Sequence, residues 1–437
     1  MIRRPGKTGW TVLLFIAFVV IGGIAISQRL SAESRFTREA YVRAGVSEDL
    51  LHGHSRGRQG LIGSLYWAPL PTLLALPLFR FPKPLGGEWA FVVLAVLSAA
   101  ALGTALNDWY RRNGAPTLMG VAASAGIFLS PLLRRPMLDG SSHLLFAALL
   151  FAVFGFLLNW LSTRHIRSLA YLSLGLMLAV ITRYQALLLV PMTVGIVLIA
   201  LLLRYRPKHY AEGTLVVLIA PAAYAGLLWI ASNWLIMGDP WFFARGLALV
   251  RRISKEALAF IGEGVDWRLA LAVFAAALVP WLTGKLGGKR RSLAGGLAAI
   301  LVAVLFWLPG SGKAPVPDLV GLELREKVVP VLRTEYADDW IVVSGYRGYE
   351  MTDPAGTKPL ANVQHSLSFY LKPILDDTHE RRAYLLTPEP VGPDRWEDIN
   401  LKSPGIFGDG TAFTVYERSW EHWRLWRLVR LDPTDRQ

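Results

Sequence analysis

Long apolar runs separated by short polar turns constrain the fold of this chain more than any other feature. Residues 141–160, for example, contain no Asp, Glu, Lys or Arg. About 20 apolar residues in a helix cross the 30 Å core of a bilayer. The runs therefore predict a polytopic α-helical membrane protein with about nine transmembrane helices. The predicted spans are residues 9–27, 88–107, 116–133, 141–160, 168–183, 185–204, 213–236, 267–285 and 293–309.

Composition agrees with a membrane protein and excludes several other classes. Hydrophobic residues make up 53% of the 437 residues and charged residues only 18%, whereas soluble domains carry about 25% charged residues. The net charge of +14 does not indicate a nucleic-acid partner, because many basic residues lie in short turns between apolar runs. The chain has no cysteine, which excludes disulfides, Cys-ligated metal centres and thiol nucleophiles.

The basic turns also predict the orientation, because short cytoplasmic loops are rich in Lys and Arg. A cytoplasmic N-terminus places every basic turn inside, and an odd number of spans then places the last quarter of the chain outside. We expect an integral protein of the plasma (inner) membrane. One uncertainty in the count is residues 168–204, which form either one long span or two broken near Arg183; the basic cluster after Lys285 favours two. The basic turns are Arg111/Arg112, Arg164/Arg167, Arg204/Arg206/Lys208 and Lys285/Lys289/Arg290/Arg291.

Two regions are predicted to lie outside the spans. Residues 28–87 read as an outer loop with a surface helix and a proline-rich apolar stretch too short to cross the membrane, which suits interfacial helices. Residues 311–437 lose the apolar runs and alternate strand-like with helix-like segments, which predicts a small soluble α/β domain on the extracytoplasmic side. The division is thus 1–310 for the transmembrane part and 311–437 for the soluble part. Strands are expected at 340–344, 383–386, 413–417 and 423–431, and helices at 319–332 and 362–375.

Three short motifs carry chemistry-bearing residues at the outer ends of predicted helices. The segment from Thr37 to Gly53 contains Glu39 near its start and Leu50-Leu51 near its end. Ser130-Pro131 precedes Asp139, which opens the next predicted span, and Thr182-Arg183 lies at the break described above. Ionisable residues at membrane boundaries are candidates for function, because burying them there is costly.

This order of motifs resembles the GT-C superfamily of polyprenyl-phosphate-dependent glycosyltransferases, which includes protein O-mannosyltransferases and aminoarabinose transferases. The resemblance covers roughly residues 8–245 and departs at one point. Where the family has a pair of acids, this chain has Glu39-Ala40. The resemblance implies that a sugar moves, with inversion, from a polyprenyl phosphate to a glycan, lipid or protein acceptor on the outer face of the membrane.

The resemblance also implies roles for individual residues. Glu39 is the expected base and Asp139 a supporting acid or metal ligand, with a divalent cation (Mg or Mn) as an expected cofactor. Arg183 is expected to grip the lipid phosphate, and the aromatic half-helix at Tyr66 and Trp67 to seat the isoprenoid. Membrane lipids are further partners. The predicted substrate-binding residues are Arg183, Tyr184, Tyr66, Trp67 and Arg245.

Each assignment has a structural alternative that the residues leave open. Glu39 on a surface helix could pair with an arginine such as Arg43 at i,i+4, and Asp139 could cap the following helix. Arg183 could snorkel at a span end, and Arg245 could bind anionic lipid. The corresponding alternative function is a GT-C-shaped protein without transferase activity, acting as a lipid-binding scaffold or as a subunit of an envelope assembly.

Overall fold

The computed structural model of the chain divides into two compact units. The first comprises Met1–Glu39 and Ser64–Gly312, and the second comprises Ala40–Gly63 and Lys313–Gln437. The structure describes residues 7–27, 36–53, 55–62, 68–81, 87–203, 208–242, 267–286, 288–307, 319–344, 347–351, 363–366, 382–390, 399–400, 405–410 and 414–428.

The first unit is helical, and the helices of the chain up to residue 307 begin and end as follows. In chain order they are α1 (Lys7–Ser27), α2 (Arg38–Leu51), α3 (Ser55–Ile62), α4 (Leu70–Ala75), a 3₁₀ turn (Leu76–Arg80), α5 (Trp89–Arg112), α6 (Thr117–Phe128), α7 (Pro131–Asp139), α8 (His143–Thr163), α9 (Ile166–Val180), a 3₁₀ turn (Tyr184–Leu188), α10 (Leu189–Leu202), α11 (Lys208–Met237), α12 (Trp267–Thr283) and α13 (Gly288–Trp307).

Within the described residues, five helices are long and apolar enough to cross a membrane. A sixth span results if α6 and α7, which meet at a bend of 50°, form one broken crossing. The chain is therefore an integral membrane protein. A helix lies at each of the nine predicted positions, but the apolar parts of α1, α9 and α12 are shorter than a full crossing. The count of nine spans stays a prediction.

The break predicted inside residues 168–204 is present. Helix α9 ends at Val180, Arg183 has an extended backbone with φ −151° and ψ 127°, and α10 begins at Leu189 after the 3₁₀ turn. The short proline-rich segment after residue 68 also forms the expected half-helix, made of α4 and the turn that follows it.

Small residues in the first unit let α1 approach helix α5 closely. A Cβ added at Gly22 would be 2.6 Å from the side chain of Val96, and one at Gly103 would be 2.7 Å from the ring of Phe18. The Phe18 ring stacks on Phe128 at the end of α6, with centroids 4.6 Å apart. Close van der Waals packing of this kind holds helices together where the hydrophobic effect does not.

One end of the first unit gathers turns that are rich in basic residues. The Arg291 guanidinium donates a hydrogen bond of 2.8 Å to the carbonyl of Arg112, which joins the start of α13 to the end of α5. The indole of Trp281 donates to the hydroxyl of Ser162 at 2.9 Å, which joins α12 to the end of α8. Three of the basic turns that the sequence places on one side of the membrane thus meet at one end of this unit.

The second unit is built on a five-stranded mixed sheet with the order β2-β1-β3-β5-β4. Strand β1 pairs in parallel with β2 and β3, and β5 pairs antiparallel with β3 and β4. The strands are β1 (Trp340–Ser344), β2 (Val363–Ser366), β3 (Ala383–Pro388), β4 (Thr414–Ser419) and β5 (Trp423–Leu428), and the helices α14 (Leu319–Glu323), a π turn (Leu324–Val328), α15 (Val329–Glu335), α16 (Arg347–Glu350) and α17 (Ile406–Asp409).

Both faces of this sheet are covered. Ile341 and Val343 of β1 pack in one core with the helix that runs from α14 to α15, while Val342 packs in a second core on the opposite face. This alternation is the period of a strand buried on both sides. Trp423 and Trp426 are buried in these cores, so they do not form an exposed surface for stacking sugar rings.

Two predictions about local structure are wrong. Residues 363–366, placed in a helix by the sequence, form strand β2. Helix α2 is not a surface helix, because nearly every residue from Glu39 to Ser47 is buried, including Arg43 with 3% of its surface exposed.

Candidate functional site

Four segments of the first unit that are distant in sequence meet around the end of α7. The backbone N–H of Thr37, immediately before α2, donates to the carbonyl of Asp139 at 3.0 Å. The Thr37 hydroxyl donates to the same carbonyl at 3.2 Å. These two bonds hold the first turn of α2, and therefore Glu39, against the junction between α7 and α8.

Asp139 lies at that junction because α7 stops there. Gly140 follows with φ +73°, a left-handed conformation that glycine adopts at little cost. The chain then turns back, and Oδ1 of Asp139 accepts the backbone N–H of Ser141 at 2.9 Å. Ser142, not Asp139, is the N-cap residue of α8. Capping of the next helix is therefore not the role of Asp139, and its carboxylate is fixed by the turn.

Glu39 places a second carboxylate within electrostatic range of the first. It lies in the first turn of α2 and has 8% of its surface exposed. Its carboxylate interacts electrostatically with Asp139 and with His143. Because the helix is buried at this position, Glu39 does not lie on a surface helix. Its pairing with an arginine such as Arg43 stays an alternative.

Arg183 enters the same region from the break between α9 and α10. Its guanidinium Nη1 lies 2.8 Å from Nδ1 of His143, the first residue of α8. Only 9% of the Arg183 surface is exposed, so the side chain does not snorkel along a lipid-facing helix end. The structure thus brings Glu39, Asp139 and Arg183 together, with His143 in contact with the cation.

The break itself is stabilised by a neighbouring element. The carbonyl of Ile181, which has no helical partner beyond the end of α9, accepts the backbone N–H of Leu70 at 2.9 Å. The Thr182 hydroxyl donates back to the carbonyl of Leu178 at 2.7 Å. Buried backbone groups need such partners inside a membrane. The start of the half-helix α4 is consequently tied to the segment that carries Arg183.

Tyr184 follows Arg183 and packs toward α11. Its ring meets that of Trp229 edge to face, with centroids 5.8 Å apart. The predicted substrate role of Tyr184 stays a prediction. Three further predicted substrate-binding residues, Tyr66, Trp67 and Arg245, lie outside the described residues.

Two residues of this region escaped the sequence reasoning. His143 bonds to Arg183, and Arg135 interacts electrostatically with Asp139. Both lie within four residues of Asp139 in the sequence. This proximity to a predicted site residue is the sequence signal that could have identified them. A lone histidine and a pair of arginines on a short helix carry no spacing pattern of their own, and for that reason they were passed over.

The described residues offer no group of three or more His, Asp or Glu side chains arranged to hold a metal ion. Glu39 and Asp139 alone do not make such a group, since divalent cations prefer several oxygen ligands. The expected Mg or Mn ion stays a prediction.

Comparisons with known proteins show a structural likeness but no match in sequence. No family profile and no curated protein matches the sequence. Among solved structures, the chain is similar to ArnT from Cupriavidus metallidurans bound to undecaprenyl phosphate, with 11% sequence identity and a TM-score of 0.44. The alignment covers 97% of this chain and 98% of that chain. At this identity and TM-score the likeness identifies no family.

Proposed function

We propose that this chain is a membrane glycosyltransferase that moves a sugar from a polyprenyl phosphate to an acceptor on the extracytoplasmic face of the plasma membrane. The observation that carries the proposal is the meeting of two carboxylates, Glu39 and Asp139, with the paired side chains of Arg183 and His143. Acids beside a fixed cation suit a reaction that takes a proton from one group and leaves an anion on another.

In the proposed reaction an acceptor O–H group attacks the anomeric carbon of the sugar from the side opposite the phosphate. The bond between the anomeric carbon and the phosphate oxygen breaks, and the polyprenyl phosphate leaves with the bonding electrons. The Glu39 carboxylate takes the acceptor proton, while the turn at Ser141 holds Asp139 beside it. One displacement inverts the anomeric centre. Arg183 balances the charge on the leaving phosphate through charge-assisted hydrogen bonds.

The position of these residues along the bundle supports the proposed side of the membrane. His143 begins α8, and the 21 residues of that helix end at Thr163, beside the basic turns. A helix of this length spans about 30 Å, which is the thickness of the hydrocarbon core. Because basic turns favour the cytoplasm, the end that carries Glu39, Asp139 and Arg183 is assigned to the outside.

The proposal is tested with purified full-length protein in lipid nanodiscs, given labelled undecaprenyl-phosphate sugars and a membrane extract as acceptor source. We expect Glu39→Gln to lower the transfer rate by a factor of about 100 to 10,000, the usual contribution of a general base. Binding of undecaprenyl phosphate should persist, because the amide keeps the size of the side chain. Glu48→Gln is the matched control, since Glu48 lies on the same helix with 34% of its side chain exposed; it should retain full activity.

Two results would contradict the proposal in different ways. Transfer by Glu39→Gln at the wild-type rate removes Glu39 as the base. Tight binding of undecaprenyl phosphate by the wild-type protein, with no transfer from any donor of the panel, favours the non-catalytic scaffold instead.

A further inference from the structure

We propose that His143 is a positioning residue that orients the Arg183 guanidinium toward the phosphate of the lipid. This inference rests on the proposed function, because it takes the ligand of Arg183 to be a polyprenyl phosphate. It adds a residue that neither the motif resemblance nor the proposed reaction had assigned.

The hydrogen bond between the two side chains has only one direction. Every guanidinium N–H is a donor and arginine has no acceptor. Nδ1 of His143, which lies 2.8 Å from Nη1 of Arg183, must therefore accept. The imidazole in this pair is neutral and carries its proton on Nε2. A neutral acceptor fixes the direction of the guanidinium and adds no negative charge, whereas a carboxylate would add one.

Arg183 and His143 project from different kinds of backbone. Arg183 has an extended backbone between α9 and the 3₁₀ turn, so it lacks the neighbouring turns that restrict a side chain within a helix. His143 is the first residue of a 21-residue helix and follows the fixed turn from Asp139 to Ser142. A long, flexible arginine is thus anchored by a short side chain on a rigid element, which lowers the entropy lost when it binds an anion.

His143 also lies within electrostatic range of Glu39. Glu39 interacts electrostatically with both His143 and Asp139. The same imidazole is therefore bonded to the cation and lies within electrostatic range of the proposed base. A substitution of His143 should affect the contact between Arg183 and the phosphate more than it affects Glu39, since the direct hydrogen bond of His143 is to Arg183.

The experiment measures the dissociation constant of undecaprenyl phosphate for the full-length protein in nanodiscs, without any sugar. We expect His143→Ala to raise the dissociation constant up to about tenfold, the upper end of the cost of ordering one long side chain on binding. His143→Asn should restore most of the affinity, since its Oδ1 can occupy the place of Nδ1. His143→Gln should not, because its amide lies one carbon further out. His165→Ala, an exposed histidine beyond the other end of α8, is the matched control and should bind as the wild type does.

A double-mutant cycle with Arg183→Ala separates positioning from general damage. If His143 acts through Arg183, the double variant should bind no more weakly than Arg183→Ala alone. Additive losses, or equal losses in the Asn and Gln variants, would overturn the inference. The thermal midpoint of each variant shows whether it is folded, and the Asn and Gln pair decides the matter if the Ala variant is not. Because the probe carries no sugar, the result does not depend on whether transfer occurs.

Discussion

At Gly295 in α13 there is no room for a side chain. An added Cβ would lie 2.9 Å from the backbone nitrogen of Ala115 and 3.1 Å from the carbonyl carbon of Gly114. Backbone atoms of a neighbouring turn cannot move aside as the tip of a flexible side chain can. Glycine at this position therefore permits the close approach of α13 to the turn between α5 and α6.

We predict that Gly295→Ala destabilises the protein by about 1 to 3 kcal/mol, the usual cost of overpacking a filled interior. Gly195→Ala is the matched control, because nothing lies within 4 Å of the added Cβ in that helix. It should be neutral or slightly stabilising, since alanine is the better helix former. Thermal unfolding in detergent, followed by tryptophan fluorescence, measures both. Equal midpoints for the two variants would contradict the close approach.

The sequence pointed to individual residues only where a motif marked them. Glu39, Asp139 and Arg183 were named from short motifs, and the structure brings them to one place. His143 was not named from the sequence, because its partner Arg183 lies 40 residues further along the chain. A hydrogen bond between distant segments leaves no periodic trace in the sequence.

Among the elements, the turn between β4 and β5 is held by one buried carboxylate of the same unit. Glu323 of α14 has 6% of its surface exposed. One carboxylate oxygen accepts the backbone N–H of Glu421 at 3.1 Å and the other accepts that of His422 at 2.6 Å. The hairpin is thus fixed to the helix through backbone groups, which fits the use of a carboxylate as a double acceptor.

We predict that Glu323→Gln loosens this hairpin locally by about 1 to 3 kcal/mol. The amide replaces one acceptor oxygen with an N–H donor that faces another N–H donor. Hydrogen exchange of residues 419–424 should become faster by the corresponding factor. Glu326→Gln, on an exposed position of the same helical segment, should leave the exchange unchanged. Unaltered exchange in the Glu323 variant would show that the carboxylate is not the anchor.

Helices and strands could be predicted from the sequence where their pattern of apolar residues is local. Strands β1, β3 and β5 lie where apolar residues recur at strand spacing, because each is buried in the sheet. Strand β2 was missed, since Val363 pairs in parallel with Ile341 of β1 and that register is fixed by a distant partner. The burial of α2 was missed for a related reason, as its polar sequence is that of an exposed helix.

On the scale of the whole molecule, the first unit has two chemically different ends. Arg112 and Arg291 meet at one end. The indole of Trp307, the last residue of α13, donates to the carbonyl of Gly126 near the end of α6, and Trp307 lies about 24 Å along α13 from Arg291. The hydropathy pattern and the basic turns predicted that the two ends differ, because the bilayer constrains where apolar and basic residues lie. They could not predict which residues would meet at each end.

We predict that a single cysteine replacing Glu417 reacts with a membrane-impermeant maleimide in right-side-out vesicles. A cysteine replacing Arg290 should react only after the vesicles are opened. The natural chain has no cysteine, so each variant carries one reactive thiol and the wild type serves as the blank. Both replaced side chains are exposed. The reverse labelling pattern would contradict the predicted orientation and the odd number of spans.

The tie between Thr37 and Asp139 also bears on how the protein is made. These residues are 102 positions apart, so the start of α2 leaves the ribosome well before the segment that receives it. Translation proceeds at roughly 5 to 20 residues per second, which leaves α2 without that contact for several seconds. Arg183 comes later still. We infer that the assembly of the site follows the insertion of α9, and that nascent chains ending before residue 183 cannot yet contain it.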